Sequence, residues 1–302
     1  MGKSRALGGD HRLRRIAILA ATALAIPLAA AQAACPEDAE VARMAADILA
    51  SRPAQGYGSS LTMEDAACAR EKLVALLVKQ HGAPVGYKVG LTNAAAQQRF
   101  GVPSPVRGTI YQATIRARGT AGAPAEVPAA FAALPNVESD LLVRVRDEGI
   151  NEAGSDHVAI LRHLDQVIPF IEMPDLVLAP GQMNGPNLVA INVGARLGVL
   201  GEPIPVQATP DFAARLGSMT VILATEQKEL SRAPGTALLG HPLNVIPWLV
   251  EDLKRDGRRL RAGDIVSLGG FSPALPTEAG RTVTATYEGL AERPLTVSVR
   301  TP

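Results

Sequence analysis

The stretch Leu134-Pro135-Asn136-Val137-Glu138-Ser139-Asp140-Leu141-Leu142-Val143-Arg144-Val145 decides the reading of this chain. Its apolar run predicts a strand over 137–145, and residues two apart on a strand point to the same face. Glu138 and Asp140 therefore converge on one side while their neighbours fill a core. A third acid, Glu172, closes another apolar run, Val167-Ile168-Pro169-Phe170-Ile171-Glu172. Burying three carboxylates is costly without a counter-charge. A hard, oxygen-seeking ion such as Mg2+ or Mn2+ supplies one. The residues alone leave a plainer reading open, an edge strand with solvated acids.

Outward from this stretch the chain is β-rich, with short runs punctuated by Gly and Pro at 85–89, 106–111, 167–172, 188–193, 219–224, 265–268, 283–287 and 295–299. Helical patterns interrupt at 93–100, 158–164 and 241–255. Upstream, Val41, Met44, Ala45, Ile48 and Leu49 recur at helical spacing over 37–50, stopped by Arg52-Pro53. A second helix over 62–80 opens on the cap Thr62-Met63-Glu64-Asp65 and closes before His81-Gly82. The expected fold class is α+β and β-dominated, with an N-terminal helical module over 34–84 and a main domain over 85–302. The Ala-, Gly- and Pro-rich segment 119–135 reads as a loop before the acidic strand.

Residues 1–33 read as a secretory signal: Lys3, Arg5, Arg12, Arg14 and Arg15 precede an uncharged apolar run over 16–30, and Ala31-Gln32-Ala33 fits a cleavage site before Ala34. The run is too short to span a bilayer, so no stable membrane span is expected in the mature chain. Arg14-Arg15 raises the twin-arginine route, and Gln32 stands where lipoprotein signals usually carry an aliphatic residue. Removing this segment takes away five of the 30 Lys and Arg and one of the 29 Asp and Glu, leaving a charge near −3. No basic nucleic-acid footprint remains. An exported, periplasmic chain meets an oxidising compartment, so its two cysteines, Cys35 and Cys68, are expected to form a disulfide.

Two further segments bear chemistry. Gly86-Tyr87-Lys88-Val89-Gly90-Leu91-Thr92 puts a lysine at a strand end between glycines, where a ligand can approach. Such a lysine serves as a charge clamp or proton donor, unless it merely snorkels on a half-exposed strand. Leu239-Gly240-His241-Pro242-Leu243-Asn244 opens an apolar helix whose first amides, with His241, suit an anion. A capping turn with a packed histidine is the plainer reading.

Taken in order, the lysine segment, Glu138-x-Asp140, Glu172, the Gly-His-Pro-Leu-Asn segment and Ala262-Gly263-Asp264-Ile265 resemble the fumarylacetoacetate hydrolase superfamily. Within it they are similar to the 2-keto-4-pentenoate hydratase and 4-oxalocrotonate decarboxylase branch. The resemblance implies a mixed β-sandwich roll with an N-terminal helical part and a homo-oligomer. It implies Mg2+ or Mn2+ held by Glu138, Asp140 and Glu172, with Lys88, His241 and Asn244 toward a small 2-oxo or 2-hydroxydienoic acid. Lys88 is the catalytic candidate, and a hydro-lyase is expected ahead of a decarboxylase. Three departures stand out: Asp140 where a Glu is common, Ala113 where hydratases usually carry Asp, and Leu268 where Thr is usual. These leave an alternative, an exported carboxylate-binding protein that kept the fold without turnover.

Overall fold

Alternation along 136–145 organises the molecule. In a computed structural model that describes residues 35–302 apart from 117, this strand carries Val137, Leu141, Val143 and Val145 into the main core. Glu138, Asp140 and Leu142 stand on its other face. The expected signal segment 1–33 lies outside the described residues.

The helices are α1 (Asp38–Leu49), α2 (Met63–His81), α3 (Ala94–Phe100), α4 (His157–Arg162), α5 (Gly185–Ala190), α6 (Pro210–Ser218) and α7 (Val245–Arg255). The first strands are β1 (Pro84–Gly90), β2 (Val106–Tyr111), β3 (Ile115–Arg116), β4 (Ala125–Glu126), β5 (Asn136–Val145), β6 (Leu164–Met173) and β7 (Leu197–Leu200). The rest are β8 (Ile204–Pro205), β9 (Thr220–Thr225), β10 (Glu229–Pro234), β11 (Ile265–Ser267), β12 (Leu275–Pro276), β13 (Arg281–Glu288) and β14 (Leu295–Thr301).

One sheet runs β2-β1-β11-β5-β6-β7-β3, with β12 on β5 and β8 on β6; the other runs β10-β9-β13-β14-β4. The inward residues of both, among them Leu141, Ile171, Val221, Leu223, Ala285 and Val297, share one core. Phe212 and Leu216 of α6 and Ile246, Leu249 and Leu253 of α7 enter the same core. The architecture is thus the expected β-dominated α+β fold with mixed sheets.

The apolar faces of α1 and α2 pack against α5 and β2, through Val41, Ile48, Leu73, Leu77, Leu188 and Tyr111. Thr62 caps α2 by accepting from Asp65 N at 3.1 Å, as its sequence predicts. Cys35 and Cys68 are joined in a disulfide that ties the chain ahead of α1 to α2. No described helix is long and apolar enough to cross a membrane.

Two expectations are corrected. The run 188–193, read as a strand, is instead the end of α5 followed by a left-handed turn at Asn192, Val193 and Gly194. Asn184 caps α5 by accepting from Asn187 N at 2.9 Å, and Pro186 sits in its first turn. The helix expected over 241–255 begins as a tight 3-10 turn, Pro242–Asn244, before α7.

Candidate active site

Register assembles the site. In the antiparallel pair of β5 and β6, Glu138 lies directly opposite Glu172; in the parallel pair of β1 and β11, Lys88 lies beside Ser267. β11 in turn pairs with β5, so the side chains of Lys88, Ser267, Asp140, Glu138 and Glu172 share one face. Lys88, Asp140 and Glu172 are buried.

The Lys88 ammonium donates to Glu172 Oε1 and, at 3.0 Å, to the Val193 carbonyl. An ammonium carries three protons, so one donor remains for a ligand. Gly108 makes this approach possible: a Cβ there would come within 2.6 Å of the Asn192 carbonyl and 3.0 Å of Lys88 Cγ. The turn that presents the Val193 carbonyl has φ of 58° at Asn192, 55° at Val193 and 66° at Gly194. A β-branched residue in this region is strained. The turn is held by Asn192, which accepts from Thr109 N at 2.7 Å and donates to Thr109 O at 2.9 Å.

Asp140 is held differently. Its Oδ1 accepts from Leu141 N at 2.5 Å and Gly269 N at 3.1 Å, and its Oδ2 accepts from Ser267 Oγ at 2.6 Å. Behind it the buried Tyr287 hydroxyl donates its one proton to the Asp140 carbonyl and accepts from Phe170 N at 3.1 Å, tying β5 and β6 to the second sheet. Across from Glu138, Gly270 leaves room, since a Cβ there would lie 2.7 Å from Glu138 Oε2.

Three acids against one ammonium leave an excess of negative charge. Burial and the facing Glu172 push Glu138 well above the usual carboxylate range. Burial and Glu172 likewise raise Asp140 to about 7, against the hydrogen bonds from Ser267 and Leu141. Burial alone would lower Lys88, but Glu172, Glu138 and Asp140 outweigh it and hold the ammonium above its ordinary range.

Glu138, Glu172 and Lys88 open onto a cavity of about 510 Å3, with Thr92 and Ser272 also at its wall. Asp140 does not reach it. Among the described residues no three Asp, Glu, His or Cys side chains are disposed to hold a metal ion as they stand. Lys88 occupies Glu172, and Asp140 is turned toward its protein donors. The donor chemistry nonetheless fits a hard divalent cation: the oxygens are carboxylate, the charge deficit is real, and Asp140 Oδ2 keeps a lone pair beyond its bond to Ser267.

His241 and Asn244 are placed elsewhere. His241 donates from Nε2 to the Ala213 carbonyl at 2.9 Å, accepts at Nδ1 from Leu243 N at 3.1 Å, and stacks on His157 at 3.8 Å. Asn244 donates to the Leu239 carbonyl and meets His157 Nε2 through Oδ1 at 2.8 Å. Their polar atoms bond within the turn and to α4 and α6, and neither residue is among those that line the cavity. Burial also lowers the His241 pKa, with His157 adding to the effect against the Ala213 bond, which disfavours a charged anion holder.

Ser267, Asn192 and Val193 stand beside Asp140 and Lys88, partners that the sequence reading did not assign to them. Ser267 supplies a hydroxyl to the acids although Leu268, the position compared with the usual Thr, is buried in the core. Ala113 is exposed and does not line the cavity. The parallel pairing of β1 with β11 is the long-range fact that brings Ser267 to Lys88. Spacing along the chain does not contain it.

The chain is 31% identical over 206 residues to 2-keto-4-pentenoate hydratase of Paraburkholderia phymatum, covering 68% of this chain and 75% of the relative. It is 25% identical over 206 residues to 4-oxalocrotonate decarboxylase of Pseudomonas sp. strain CF600, covering 68% and 74%. The chain belongs to the 2-keto-4-pentenoate hydratase and 4-oxalocrotonate decarboxylase branch. The fold of this branch is seen in 4-oxalocrotonate decarboxylase from Pseudomonas putida G7, solved with magnesium and adipate. That structure matches with a TM-score of 0.75 at 21% identity, over 88% of this chain and 97% of the other. No family model matches the chain.

Proposed function

We propose that this protein is a divalent-cation-dependent lyase acting on a 2-oxo or 2-hydroxydienoic acid, with hydration of the conjugated chain ahead of decarboxylation. The observation that carries the reading is the Lys88 ammonium, bridged between Glu172 and the Val193 carbonyl, with its remaining donor available at a cavity that Glu138 also faces. The names of the relatives, a hydratase and a decarboxylase, support the same class.

Glu138 and Glu172 would hold the cation, with Asp140 adding charge and one oxygen lone pair from behind. When bound, the ion supplies Lewis acidity toward the oxygens of the acid head. Magnesium in the related decarboxylase structure supports a divalent ion without choosing between Mg2+ and Mn2+. Lys88 would clamp the substrate anion and hold a proton near its 2-oxygen. Ser267 and the Gly269 amide keep Asp140 oriented, and Asn192 fixes the carbonyl that positions Lys88.

Export to the periplasm through the 1–33 signal belongs to this proposal, and the Cys35–Cys68 disulfide supports it because such bonds persist in oxidising compartments. The test is turnover of a 2-hydroxydienoic acid with added Mg2+ or Mn2+, followed by loss of the diene absorbance and by CO2 release. Lys88→Ala and Glu172→Gln should each lower kcat/KM by at least a hundredfold. Full turnover by either purified variant would remove these roles, and stoichiometric CO2 would move the reaction to decarboxylation.

A further inference from the structure

Strand β6 stops where its sequence removes a donor. Pro174 has no N–H, and its carbonyl accepts the last bond of the ladder, from Asn136 N at 3.0 Å. The next residue, Asp175, is a buried carboxylate that the proposed chemistry does not use. Pro174 and Leu176 line the cavity that Lys88, Glu138 and Glu172 face, while Asp175 between them does not.

The Asp175 carboxylate turns instead to the chain ahead of β5. Its Oδ1 accepts from Leu134 N at 2.9 Å and its Oδ2 from Ala133 N at 3.2 Å. A carboxylate can offer one oxygen to each of two consecutive amides. A carboxamide has a single oxygen and would turn its NH2 toward the other amide.

The Asp175 backbone reaches in another direction. Its N–H donates to the Gly194 carbonyl at 2.9 Å, at the end of the left-handed turn whose Val193 carbonyl receives Lys88. Gly194 suits this contact, since its φ is 66° and a Cβ there would lie 3.1 Å from the Asp175 carbonyl oxygen. One residue thus joins the turn that holds Lys88 to the entry of the strand that carries Glu138.

Arg196 repeats the connection from just beyond the same turn. It donates to the Phe131 carbonyl from Nε at 3.2 Å and from Nη2 at 3.0 Å. Segment 131–134 is therefore gripped by two side chains anchored beside the turn, and Pro135, which follows it, is bridged to Asp175.

We infer that Asp175 and Arg196 are positioning residues that fix the separation between the turn behind Lys88 and the entry to Glu138. The inference rests on the proposed reading of Lys88, Glu138 and Glu172 as the place where cation and acid head meet. Without the clamp every group of the site is still present, but their spacing is no longer set, and small misplacements in a site are expensive in rate.

The experiment compares Asp175→Asn and Arg196→Met with Thr62→Ala, which removes the α2 cap and touches neither the clamp nor the cavity. Each protein is melted in denaturant, assayed for kcat and KM on a 2-hydroxydienoic acid with Mn2+, and titrated with Mn2+ with and without oxalate. Asp175→Asn should lower kcat by about tenfold or more while KM stays near the parent's, the mark of lost positioning rather than lost binding. It should also weaken the tightening of Mn2+ by oxalate, and Arg196→Met should move both readouts the same way. Thr62→Ala should lower stability and move neither.

Parental kcat and a parental oxalate effect in both clamp variants overturn the inference. So does a loss of kcat in Thr62→Ala equal to that in Asp175→Asn, because destabilisation alone would then account for it. If Asp175→Asn does not fold, Arg196→Met, whose side chain is half-buried, decides by the same two readouts. A parent that shows neither turnover nor an oxalate effect overturns the reading of the site itself, and the inference with it.

Discussion

At Asp140, burial meets a facing carboxylate, and the result is a proton held up to about 7 against an ordinary value of 3.8. The folded state therefore binds a proton that the unfolded chain releases, and between those two values stability falls as pH rises. Asp140→Asn removes this titration. In metal-free protein the stability of Asp140→Asn relative to the parent should increase from about pH 4 to about pH 7, by on the order of a few kcal/mol, and level off outside that window. Denaturant melts at several pH values read this directly, and a difference independent of pH would show that Asp140 does not titrate there.

The placement of Glu138 and Asp140 on one face was legible, because the strand period is two and their neighbours are apolar. Their exact partners were not. The pairing of Glu138 with Glu172 depends on the register of β5 against β6, and that of Lys88 with Ser267 on two strands far apart in sequence. The residue types of His241 and Asn244 suit an anion site and a capping turn equally well, so the sequence could not choose between the two. The structure assigns them to the turn.

Among elements, the turn at Asn192–Gly194 has the most to say about function. The preceding apolar run Leu188-Val189-Ala190-Ile191 fits a buried strand or a buried helix, and periodicity cannot separate them at this length. Asn184-Gly185-Pro186, a cap followed by Pro in the first turn, was the signal that could have decided it. The left-handed residues that follow place a carbonyl on Lys88, and the Asn192 side chain fixes them to β2. Asn192→Ala leaves the buried Thr109 amide without its partner, which should cost about 1–3 kcal/mol of stability. It should also lower kcat, since the Val193 carbonyl loses its anchor. A variant that melts and turns over like the parent would show that the turn holds itself.

For the whole molecule, the two-sheet core and the flanking helices were readable from β-rich runs, helical spacing and the resemblance to the superfamily. Most of the long strands lie where the pattern placed them. Helix α6 was not read, although Thr209-Pro210 carries the same cap-and-proline signal. The cavity was also beyond reach, because its walls come from distant segments that only the closed fold brings together.

The Cys35–Cys68 bond ties the chain ahead of α1 to α2, across a separation of 33 residues. Replacing both cysteines with Ser should lower unfolding stability by about 2–4 kcal/mol through the freer unfolded chain. The cavity residues do not include either cysteine, so turnover should persist. An unchanged denaturation midpoint would contradict the stabilising role.

The proposed role of the site as a joint holder of a divalent cation and a 2-oxo acid is tested most directly by titrating metal-stripped protein with Mg2+ and Mn2+, with and without oxalate as an enolate mimic. Glu172→Ala serves as the control. The expected result is metal binding that oxalate tightens and Glu172→Ala abolishes. Absence of metal binding, or binding indifferent to both oxalate and Glu172→Ala, would contradict it.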